Sequence, residues 1–131
     1  MRTFLNLIAA FALTVTVTIA HALAPINNVV DQPIVPPPGK VLTTEQVRLS
    51  IVRAGAALGW KVVEDKPGVL IATLDIRKHQ AIVEIPYSTT KFSITYKSSI
   101  NLDESNGQIH KAYNGWILNL TKGINTQAAL N

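Results

Sequence analysis

Between Trp60 and Lys97, apolar and polar residues alternate through four short segments separated by turn-forming residues. Side chains of a strand point to opposite faces in turn, so a period of two describes strands buried on one side. The segments fall at residues 60–65, 69–77, 80–87 and 91–97. Trp60 and Val62 share one face of the first, and Leu70, Ala72, Leu74 and Ile76 share one face of the second. Ala81, Val83, Ile85 and Tyr87 do the same in the third, and Phe92, Ile94 and Tyr96 in the fourth. Lys66-Pro67-Gly68 supplies proline and glycine for a tight turn. Short connections make neighbouring strands antiparallel, so the pattern predicts a four-stranded meander with one apolar face.

That face needs cover, and two flanking segments have helical period. Thr43 and Gln46 have the spacing of a capping box, and Leu42 and Val47 that of a hydrophobic staple. Val47, Ile51, Ala54 and Leu58 then follow one helical face, with Gly55 at its edge and Gly59 placed as the terminating glycine. After a polar loop at residues 98–108, Ile109, Tyr113, Trp116, Ile117, Leu120 and Ile124 form a second apolar stripe. Gly115 and Gly123 each cost that helix about 1 kcal/mol relative to alanine, so docking must hold it. The fold class predicted is α+β: two layers, a four-stranded antiparallel meander with two helices packed on one face, in the order α-β-β-β-β-α.

Upstream of this domain, residues 1–22 read as a secretory signal peptide. Arg2 precedes an uncharged apolar run from Phe4 to Ala20, and Ala20-His21-Ala22 has the form of a cleavage site. A cut after Ala22 is favoured over one after Ala24, which would place Pro25 directly after the scissile bond. The run is interrupted by Thr14, Thr16 and Thr18 and ends in a processing site, so no stable membrane anchor is expected after cleavage. Residues 23–40 contain Pro36-Pro37-Pro38 and read as a proline-rich tether, leaving residues 41–131 as a single domain. The chain has no cysteine, so stability in an oxidising compartment must come from packing. Its 12 basic residues, Arg2 among them, stand against 8 acidic ones and are scattered, which argues against nucleic-acid binding.

Several longer motifs carry a resemblance. They are A-G-A-A-L-G-W at residues 54–60, A-T-L-D-I-R-K-H at 72–79, V-E-I-P-Y at 83–87, F-S-I-T-Y-K-S-S-I-N-L at 92–102 and I-H-K-A-Y-N-G-W-I-L-N-L at 109–120. Together they make the chain similar to a group of small, uncharacterised exported proteins and lipoproteins of Gram-negative bacteria. Many of that group carry a lipobox cysteine, which this chain lacks, so the resemblance implies a periplasmic form without a lipid anchor. It implies no activity and no site residues.

Candidate sites are few. Asp75, Arg77 and His79 alternate at the end of the second strand, where a carboxylate, a guanidinium and an imidazole on one side would make a small polar site. His79 and His110 have no cysteine beside them and no metal-binding spacing, so neither metal nor cofactor is expected. Asn101, Asp103, Ser105 and Asn106 imitate a calcium loop, but Gly107 falls one place late and no glutamate closes it. No G-x-S-x-G elbow or phosphate-binding glycine loop is present. Leu118 lies opposite its helix's apolar face and, with Val52, is a candidate partner surface.

The expectation is a non-enzymatic binding or interaction module of the cell envelope, its partner another envelope protein or a small ligand. Val69, Ile71, Thr73 and Asp75 would offer a sheet face or edge for strand addition. An alternative is a ligand carrier with a pocket between sheet and helices, lined by Trp60, Tyr87, Phe92, Tyr96, Tyr113 and Trp116. A small enzyme would need Asp75, His79 and Glu84 to converge.

Overall fold

A computed structural model describes residues 9–14 and 22–131. Most of the leader assigned to residues 1–22 lies outside the described residues. In chain order the elements are β1 (Leu23–Pro25), β2 (Val29–Pro33), α1 (Thr44–Ala57), β3 (Trp60–Lys66), β4 (Val69–Ile76), β5 (His79–Pro86), β6 (Lys91–Ile100), β7 (Gln108–His110) and α2 (Ala112–Ala128). The architecture is α+β, with two helices, a five-stranded antiparallel sheet in the order β2-β6-β5-β4-β3 and a two-stranded sheet of β1 and β7. No described helix is long and apolar enough to cross a membrane.

The four expected strands are present and consecutive, from β3 to β6. Their inward residues, Leu70, Ala72 and Leu74 on β4, Ala81, Val83 and Ile85 on β5, and Phe92 and Ile94 on β6, are all buried. They join Val47, Ile51 and Ala54 of α1 and Tyr113, Ile117, Leu120 and Ile124 of α2 in one core. The start of α1 is fixed as its sequence suggests. Thr43 Oγ1 accepts from Gln46 N at 3.1 Å, and Gln46 Oε1 accepts from Thr43 N at 2.9 Å. The staple residues Leu42 and Val47 are both buried. Gly59, at φ +87°, takes the left-handed conformation that ends a helix.

Three expectations need correction. The first concerns the segment assigned as a tether, which carries two strands. β1 pairs with β7, with Leu23 opposite His110, and β2 extends the main sheet beyond β6. Backbone bonds from Ile26 N to Gly107 O and from Ile34 N to Thr90 O stitch the same segment down. Its prolines stop neither pairing, because β1 and β2 each have a partner on one side only. Secondly, the second helix begins at Ala112 rather than Ile109, because pairing with β1 holds residues 108–110 extended. Thirdly, β4 lies between β3 and β5, so Val69, Ile71, Thr73 and Asp75 are not on a sheet edge. The edges are β2 and β3.

Candidate functional site

Three connections meet at one end of the main sheet and enclose a cleft of about 340 Å³. The first is the turn between β4 and β5. Ile76 and His79 are cross-strand partners, so Arg77 and Lys78 form a two-residue hairpin turn. Arg77 takes φ +55°, the left-handed conformation such turns favour. The second is the loop after β6, which contributes Leu102 to the cleft. The third is the passage from β7 into α2, which contributes His110, Ala112 and Trp116.

Asn101 locks the first two connections together. Its Nδ2 donates to Lys78 O at 2.7 Å, and its own carbonyl meets His79 Nδ1 at 2.6 Å. A carbonyl oxygen only accepts, so Nδ1 of His79 is the donor and carries hydrogen. His110 is fixed by a different pattern. Its backbone N–H donates to Leu102 O at 2.8 Å, and its Nδ1 accepts from Ala112 N at 3.1 Å. That second bond satisfies one of the N–H groups opened at the start of α2, where Lys111 offers no side-chain cap. The two imidazole rings lie 6.3 Å apart between centroids, with their planes inclined by 35°.

Arg77 forms no ion pair among the described residues, so its guanidinium keeps its donors for another acceptor. Lys78 and Lys111 lie next to cleft residues in the chain, as do Asp75 and Asp103, so the positive charge inside the cleft lining itself comes from Arg77. A forked guanidinium, two rings and the face of Trp116 are suited to an anion attached to a small apolar body. No group of three His, Cys, Asp or Glu side chains that would hold a metal occurs among the described residues.

The residues singled out from sequence are divided between places. Arg77 and His79 line the cleft together. Asp75 does not join them, because β4 ends at Ile76 and Asp75 falls on the face opposite its buried residues. There it accepts from Gln80 Nε2 at 2.9 Å. Glu84 shares that open face and bonds Lys97 Nζ at 3.3 Å, so Asp75, His79 and Glu84 do not converge. Leu118 is 53% exposed and lines a separate groove with Asn27, Asn28, Val29 and Gln32. Val52 instead packs against the core. Of the six aromatics, Trp60, Phe92 and Tyr113 are buried core, while Tyr87, Tyr96 and Trp116 pack partly buried against it.

Sequence reasoning weighed His110 only as a metal ligand, Asn101 only in a calcium-loop mimic and Trp116 only as lining of an aromatic pocket, and did not bring the three together. No local spacing links these positions, because bonds between separate connections, from Asn101 to Lys78 and His79 and from His110 N to Leu102 O, draw them together. The fold and cleft define a two-helix α+β domain with a surface cleft that presents Arg77, His79 and His110. Comparison with protein-family models, curated proteins and solved structures finds no match for the chain.

Proposed function

We propose that this chain is an exported, non-enzymatic binding protein of the cell envelope. It is released to the periplasm by cleavage after Ala22 and takes a small anionic ligand in the cleft of Arg77, His79 and His110. The observation that carries the binding reading is the convergence of these three side chains beside Trp116 around one cleft. The export reading rests on the leader and on the resemblance given by the longer motifs.

Protein recovered from periplasm should have a mass lacking residues 1–22. Titrated with a panel of small anions, it should show amide and imidazole NMR shifts confined to the cleft. Arg77→Ala should weaken that binding about tenfold or more, the scale of a lost charge-assisted hydrogen bond. Its melting temperature should hardly change, because Arg77 is an exposed turn residue. Anion binding that survives Arg77→Ala undiminished would refute the cleft, and a full-length periplasmic mass would refute the processing.

A second reading is favoured by Leu118. An exposed leucine beside a groove of about 450 Å³, rimmed by Asn27, Asn28 and Gln32, would suit docking of an envelope protein. Site-specific crosslinking from position 118 tests it, and absence of any adduct in cells would refute it.

A further inference from the structure

This inference rests on the anion-binding reading and specifies which anions the cleft takes. His79 Nδ1 donates to the carbonyl of Asn101 at 2.6 Å, so the neutral ring has its lone pair at Nε2. The acceptor is held from both sides. Asn101 sits at φ +57° and anchors itself through Nδ2 on Lys78 O, across the turn that carries Arg77. The cleft therefore has a hydrogen-bond acceptor in one wall and a guanidinium beside it.

We infer that the cleft selects anions that bring a hydrogen-bond donor of their own over anions that only accept. Hydrogen phosphate is the simplest member of the favoured class, and sulfate, of similar shape, is its counterpart without a proton. An oxygen of hydrogen phosphate accepts from Arg77 while its P–OH donates to Nε2 of His79. Sulfate placed there sets an oxygen lone pair against the nitrogen lone pair, leaving that contact mispaired and two partial negative charges opposed. A phosphodiester likewise has no proton to give. A phosphomonoester loses its proton as the pH rises through about 6, so slightly above neutral pH it is mostly in the same position.

The test uses the processed protein slightly above neutral pH and at constant ionic strength. Long-range proton–nitrogen NMR spectra of the ligand-free protein report which ring nitrogen of His79 carries hydrogen. Titrations with inorganic phosphate, sulfate and dimethyl phosphate follow. The expected result is a lone pair at Nε2, with phosphate binding about tenfold tighter than either other anion, the scale of one mispaired polar contact. Asn101→Gly keeps the left-handed backbone accessible but removes the anchor on Lys78, so the preference for phosphate over sulfate should shrink. Equal affinity for phosphate and sulfate would overturn this inference and leave the anion site standing. A hydrogen at Nε2 would do the same. Failure of all three anions to bind would overturn both.

Discussion

Single residues decide how closely the layers of this protein approach. Gly55 on α1 lies so close to β3 that an added Cβ would stand 2.5 Å from Val62 Cγ2 and 3.4 Å from Trp60 Cβ. Valine is stiff at χ1, so Gly55→Ala should destabilise the fold by about 1–3 kcal/mol despite alanine's better helix propensity. Gly115 on α2 has nothing within 4 Å of the same position. Gly115→Ala should therefore stabilise by about 1 kcal/mol, and paired thermal melts of the two variants check both signs. Gly123 falls between these cases, with Ala54 Cβ at 3.4 Å, where α2 crosses α1. Sequence alone puts the same cost on Gly115 and Gly123, since propensity is local and the neighbouring helix is not. The site was legible to the same extent. Arg77 and His79 belong together because one tight turn carries them, whereas Asp75 is separated by the pleat of its strand.

Among the elements, the strongly periodic ones were readable and the short ones were not. β3 to β6 follow from alternation, and α1 follows from its capping box. β1 and β2 have three and five residues, and their partners lie in the second half of the chain. No pattern within residues 23–33 announces pairing, because what holds them is outside the segment. Asn114 of α2 is the clearest fastener. Its Oδ1 accepts from Asn27 N at 3.1 Å, and its Nδ2 donates to Pro25 O at 2.9 Å. Asn28 Oδ1 meanwhile accepts from Tyr96 N at 2.9 Å. Asn114→Ala removes two exposed hydrogen bonds of the N-terminal segment at once, and should cost about 1 kcal/mol, the net scale of such bonds when water can replace them. Amide hydrogen exchange should rise mainly at residues 23–28, while β4 and β5 keep their protection. Uniform loss of protection along the sheet would contradict this assignment of roles.

Across the whole molecule, the core is closed by a tyrosine that resists ionisation. Burial pushes the Tyr113 phenol well above its ordinary range, and the neighbouring Tyr96, 5.8 Å away in an edge-on contact, adds to the effect. The neutral phenol is the form the fold holds, whereas in the unfolded chain a tyrosine ionises near pH 10. Stability is therefore unaffected by this group below about pH 10 and falls as the pH rises beyond it. Tyr113→Phe should flatten that alkaline decline in the melting temperature, and an unchanged decline would assign it elsewhere. The pairing of Leu23 with His110 has a consequence for how the chain is made. A ribosome delivers β1 long before β7 exists, and at about 5–20 residues per second the wait is roughly 4–17 s. During that interval the bond between Ala22 and Leu23 belongs to an open chain. Afterwards the Ala22 carbonyl accepts from Lys111 N at 3.2 Å and Leu23 is held against its partner. If the proposed cut falls here, the enzyme would meet an open bond before β7 arrives and a paired one afterwards, so the timing of folding would decide how accessible the bond is.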